Sequence, residues 1–205
     1  LRQRILFVLF IFAVFALGVN IAIPIKGVSS SELMDKLMKL QMFQMLDAFG
    51  GGALKKMSIF ALGLNPYITA SIVMQIVTTA IPSLKKEMQE GGQYARQQQN
   101  KRTKILTLVL CLFQGAGLLQ GMSSVVTLTM FERSSIILFW TAGSMFLLWL
   151  GEQLTEKGIG NGVSMMIFAG IIISLPTQMH RIYESYSAGF TTLWQLGILL
   201  VIFLA

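Results

Sequence analysis

Residues 49–75 read FGGGALKKMSIFALGLNPYITASIVMQ: three consecutive glycines and a lysine pair ahead of an apolar run that is broken by Gly63, Asn65 and Pro66. A lysine at the centre of a lipid-facing helix costs about 2.5–3.5 kcal/mol, so Lys55 and Lys56 must sit near water. A helix from Ala53 to Phe60 would extend only about 12 Å, less than half of a hydrocarbon core, and cannot cross alone. Gly63 tolerates the left-handed conformation that closes such a helix, Asn65 can cap the next, and Pro66 suits its first turn. Unpaired backbone is not tolerated against lipid, so a re-entrant break must lie in protein or line an aqueous cavity. Two readings stay open: a re-entrant element led by the flexible Gly50, Gly51 and Gly52, or an external helix at the interface before an ordinary span.

Working outward, the 205 residues are 54% hydrophobic and 12% charged, with the charges clustered between long apolar runs. That is the composition of an all-α, polytopic membrane protein. The net charge of +7 reads as topology signal and anionic-lipid contact; direct binding of nucleic acid by this chain is not expected, because the basic residues are not interleaved with aromatics. Cys111 is the single cysteine and His180 the single histidine, the latter placed in a polar loop beside Arg181. Neither an internal disulfide nor a cysteine cluster for a metal can be built. No Ser–His, Asp–Asp or His–Glu–His set assembles within the spans, so neither an enzyme nor a cofactor is expected.

Span one runs from about Ile5 to Ile25 and is read as a retained helix rather than a cleaved signal peptide. Ser29–Ser31 and Glu32 then announce a short amphipathic helix to about Leu46. Further spans are expected at about Pro66–Pro82, Ile105–Leu119 with a looser tail to Met130, Ile136–Leu150 after a Glu132–Arg133 turn, and Ile159–Leu175, with a sixth from Thr191. The start without Met and the stop inside LWQLGILLVIFLA suggest a fragment. The polar loop at about 83–104, with Lys85, Lys86, Arg96, Lys101, Arg102 and Lys104, argues for an N-terminus in the cytoplasm against the lysines of the long first loop. Leu64 and Ile68 are four apart, as are Val163 and Ile167, so each pair presents an apolar spot on one helical face, a spacing common in any span.

The stretches GGALKKMSIFALGLNPYITASIVMQ (51–75) and MFLLWLGEQLTEKGIGNGVSMMIFAGI (145–171), with the order and length of the spans between them, closely resemble the SecY family, the channel subunit of the Sec protein translocon. The resemblance implies an N-terminal half over residues 1–190, with five spans, and the start of the second half at 191–205. It makes about Asp47 to Leu62 a re-entrant plug helix hinged at Gly50, Gly51 and Gly52, with Ala53, Leu54, Met57 and Phe60 in its body. It places pore-ring positions on Leu64, Ile68, Val163 and Ile167, an apolar constriction that would exclude ions by dewetting. Lateral-gate positions would fall on Thr69, Ile72, Gln75 and Gln114, with Gln120 a further candidate. The implied partners are SecE- and SecG-type subunits, a SecA motor or the ribosome, signal peptides and nascent or precursor polypeptides. The implied setting is a multi-pass position in the bacterial inner membrane.

The competing function is a secondary transporter or ion channel, which also uses broken helices near the midplane. Such proteins need ionisable groups within the membrane for coupling, and the expected spans contain none. Glu152, Glu156 and Lys157 fall at the cytoplasmic end of the fourth span, as solvated boundary charges or partner contacts.

Overall fold

The computed structural model of the chain describes residues 2–23, 50–122, 129–187 and 194. The amphipathic helix before Leu46, residues 47–49 of the expected plug, the tail at 123–128 and nearly all of the sixth span lie outside the described residues. Six helices are described: α1 (Arg2–Val19), α2 (Asn65–Ala80), α3 (Pro82–Glu90), α4 (Gly92–Met122), α5 (Met130–Lys157) and α6 (Gly162–Ser187). Four of them, α1, α4, α5 and the first 19 residues of α6, are long and apolar enough to cross a membrane; α2 with α3 makes a fifth candidate, bent by 99°.

Local chemistry sets the ends. Ile81, ahead of Pro82, is extended at φ −97°, ψ 111°, because the proline ring disfavours the α conformation in the residue before it, and the chain turns there. Thr129 and Glu132 form a capping box on α5: the Thr129 hydroxyl accepts from the Glu132 N–H at 3.4 Å, and the Glu132 carboxylate accepts from the Thr129 N–H at 2.9 Å. Asn161 caps α6, its Oδ1 accepting from the N–H groups of Val163 (3.0 Å) and Ser164 (3.2 Å).

Several boundaries differ from expectation. The polar stretch at 83–104 is helical, not a loop, since Gln, Lys, Arg and Glu are good helix formers and hydropathy alone does not register a helix that runs on into water. For the same reason α4 begins at Gly92 rather than Ile105, and α6 continues through His180, past Pro176. Glu132 and Arg133 stand in the first turn of α5 rather than in a turn of their own. Asn65 is the first residue of α2 and Leu64 its N-cap, without a side-chain cap; Pro66 keeps its place in the first turn.

The helices pack as two groups. α2 and α3 lie against α4, while α1 and α6 lie against α5; α4 and α5 join the groups. Two apolar clusters result. One gathers Cys111 and Leu119 of α4 with Ile136 and Trp140 of α5, and the other gathers Val8, Ile11 and Phe15 of α1 with Leu147, Leu154 and Met166 of α5 and α6.

Candidate functional site

The segment from Gly50 to Leu64 supplies residues to both clusters: Leu54, Met57, Ala61 and Leu62 to the first, Ala53 and Phe60 to the second. It is the wedge between the two groups of helices. The short helix expected over Ala53–Phe60 is not formed; the chain makes a succession of turns instead. Met57 N–H donates to Leu54 O (3.0 Å), Ser58 N–H to Ala53 O (2.9 Å), Ala61 N–H to Ser58 O (3.1 Å) and Gly63 N–H to Phe60 O (2.8 Å).

Two causes oppose a regular helix. Gly51 and Gly52 hold φ of +69° and +80°, and Met57 is itself left-handed at φ 48°. In addition, Ala22 and Ser58 form an antiparallel bridge, with Ile23 N–H donating to Met57 O (3.0 Å) and Ile59 N–H to Ile21 O (3.1 Å). Backbone groups that a helix would pair internally are therefore committed to the exit of α1. The lysines behave as expected: Lys55 and Lys56 are exposed, and the Lys56 ammonium donates to Asn20 Oδ1 at 2.6 Å.

Phe60 anchors the wedge. A Cβ at Gly18 would overlap its ring, and a Cβ at Gly143 would overlap the carbonyl oxygen of Ile59 beside it. The ring stacks between Phe15 (centroids 6.0 Å apart) and Phe146 (6.1 Å), and Phe146 continues to Trp149 (5.7 Å). Sequence reading missed the two glycine notches, because a glycine inside an apolar span carries no sign of what will lie against it.

Leu64, Ile68 and Ile167 share a narrow cavity of about 10 Å³ with Gly50, Gly63, Asn65 and neighbouring apolar side chains. Three of the four expected ring positions are thus brought together, under the glycines that begin and end the turn segment. Val163 stands one turn before Ile167 in α6, half-buried, against Gly151 of α5, and is not among the residues lining that cavity. Gly51 approaches the same helix, a Cβ there falling 3.4 Å from Gly170 O.

Asn65 and Ile68 also line a second, open cleft of about 490 Å³, together with Thr69, Gln114, Leu54 and Leu62. Ile72 and Gln75 fall further along α2, exposed and outside the cleft lining; Gln75 Nε2 donates to Ser71 Oγ at 3.5 Å. The basic residues divide. Lys85 and Lys86 are exposed on α3, and Arg96 and Lys101 on the first turns of α4. Arg102 pairs with Glu87 at 3.2 Å, and Lys104 pairs with Glu152 of α5 at 2.6 Å. Tyr67 of α2 lies within electrostatic range of that second pair. Among the described residues no group of three or more His, Cys, Asp and Glu side chains comes together to hold a metal.

A sequence profile described as SecY matches residues 58–205. The protein translocase subunit SecY of Aquifex aeolicus is 40% identical over 200 residues, which cover 92% of this chain and 46% of that protein. The same-named subunit of Bacillus subtilis is 36% identical, covering 92% and 44%, and that of Vibrio cholerae 38% identical, covering 100% and 46%. The chain spans about half the length of the curated relatives it matches.

Proposed function

This chain belongs to the SecY family and is a multi-pass membrane protein, and on that premise we propose that it supplies the N-terminal half of the central channel subunit of a Sec translocon. Unfolded polypeptides pass along it, and apolar segments leave sideways into lipid. The observation that carries this reading is the shared cavity of Leu64, Ile68 and Ile167 beneath Gly50 and Gly63. An apolar constriction closed by a removable segment holds back ions while at rest and yields to an extended chain.

In this reading Leu64, Ile68, Val163 and Ile167 form half of a pore ring, and residues 47–62 are the plug, of which the described residues, 50–62, are built from turns rather than a helix. Thr69 and Gln114 mark the wall of the lateral gate from inside the cleft, with Ile72 and Gln75 further along the same helix. Residues 1–190 form the five-span half, and 191–205 begin the next. Subunits of the SecE and SecG type brace the channel, and a SecA motor or a ribosome delivers signal peptides and precursors. The setting is the bacterial inner membrane with the N-terminus in the cytoplasm. There the exposed lysines of α3 meet anionic lipid headgroups.

A photoreactive side chain placed at Leu64, Ile68 or Ile167 in the full-length complex, loaded with a stalled precursor, tests this reading. Adducts at these positions, and far fewer at exposed Phe10 on α1, are expected. A translocating complex that yields no adduct at any of the three overturns it.

A further inference from the structure

The face of α4 that meets α5 carries Lys104, Thr107, Cys111 and Gly115, spaced three and four apart on one side of the helix. Thr107 and Cys111 are fully buried, and a Cβ at Gly115 would lie 3.5 Å from Ile137 of α5. The facing side of α5 carries Ile137, Trp140, Ser144, Leu148 and Glu152, with Trp140, Ser144 and Leu148 all buried. Gly115 meets Ile137, Cys111 meets Ser144, and Lys104 meets Glu152, so the helices run antiparallel in one register.

The middle of this seam is buried, and one of its ends carries an ion pair. There the Lys104 ammonium reaches both carboxylate oxygens of Glu152, at 2.6 and 2.8 Å, with the two side chains 41% and 35% exposed. On one flank α2, α3 and α4 are tied to one another, by Gln99 Nε2 donating to Thr78 Oγ1 at 3.3 Å and by Arg102 with Glu87. On the other flank α1, α5 and α6 share the second apolar cluster. The turn segment is wedged between the flanks and packs against residues of both. Apolar surfaces slide or rock with little directional preference, whereas an ion pair has a fixed partner and a fixed register.

We propose that the α4–α5 seam is a hinge line along which the α2–α3–α4 unit rocks against the α1–α5–α6 unit, and that the Lys104–Glu152 pair is the strap holding its charged end closed. Lys104 and Glu152 are positioning residues: they touch no passing chain in this account but set how often the seam opens. The native thiol of Cys111 sits inside the seam and reports on it, because a maleimide reaches it only when α4 and α5 separate.

The test uses the full-length complex in lipid vesicles, with the labelling rate of the Cys111 peptide followed by mass spectrometry. K104E and E152K are each expected to speed labelling by roughly 3-fold or more, and the K104E/E152K exchange to return it to within about 2-fold of the parent. Raising the salt from about 50 to about 500 mM is expected to speed labelling of the parent but not of K104M/E152L, whose strap is already gone. Unchanged labelling in both single variants, or an exchange that labels as fast as they do, overturns the proposal. Should the reversals fail to assemble, K104M, close to lysine in length, and the isosteric E152Q are each held to the single-variant criterion, with K104M/E152Q expected to lose the salt response. Labelling needs no translocation, so the strap stands or falls separately from the channel reading.

Discussion

The ring of Phe60 occupies the place where a side chain on Gly18 would begin: a Cβ built on that glycine overlaps the ring edge. Gly143, on α5, leaves the matching space for the Ile59 carbonyl on the opposite side. The turn segment is therefore held by two helices at positions where they have no side chain, and the depth of its seat depends on that absence.

The two notches differ in what opposes them. At Gly18 the obstacle is an aromatic ring, which can tilt; at Gly143 it is backbone, which cannot move without displacing residues 58–60. Gly18→Ala is expected to cost about 1–3 kcal/mol and Gly143→Ala to lie at or above the top of that range, even though alanine favours helix at both sites. Denaturant titration of the purified complex measures the order. Phe60→Leu should recover part of the Gly18→Ala loss and little of the Gly143→Ala loss.

Phe60 is 2% exposed and sits in the middle of an aromatic stack. Phe60→Ala should destabilise the fold by about 3–5 kcal/mol, because the lost contacts leave a cavity between α1 and α5 that neither glycine can fill. A melting temperature that stays within a degree of the parent would show that the segment is not packed as described.

The helix starts offer an independent check of the local chemistry. Thr129→Ala removes the hydroxyl that accepts from Glu132, and Asn161→Ala removes the carbonyl that accepts from Val163 and Ser164. Each should cost about 1 kcal/mol, whereas Ser134→Ala, on an exposed hydroxyl bonded to Met130 O within its own helix, should cost less than about 0.5 kcal/mol. The same denaturant titration ranks the three.

Ile68 and Ile167 line one cavity although 99 residues separate them along the chain. Cysteines at both positions, with Cys111 replaced by serine, should be joined efficiently by a short bifunctional maleimide in the resting complex. The pair at 68 and 163 should react more slowly, since Val163 lies toward Gly151 instead. Equal yields from the two pairs would remove the distinction between those residues.

The break in residues 50–64 was legible from chemistry carried by single residues: lysines that reject lipid and stand exposed, glycines that take positive φ, a proline in the first turn of α2. The apolar runs likewise announced α1, α4, α5 and α6 as helices long enough to cross, because the bilayer imposes one dimension on every helix that crosses it. Of the four positions that the family resemblance singled out, Leu64, Ile68 and Ile167 share a cavity and Val163 does not line it.

What the chain order could not announce was the manner of packing. Residues 53–60 lie in turns while their backbone bonds to Ile21 and Ile23, a stretch some 35 residues away in sequence that no local propensity foretells. The glycine notches, and the pairing of Lys104 with a glutamate 48 residues on, arose the same way. Composition and periodicity report how each residue meets its solvent, lipid or water; which surfaces close on one another is settled by shape and register between distant segments, and only the assembled bundle decides it.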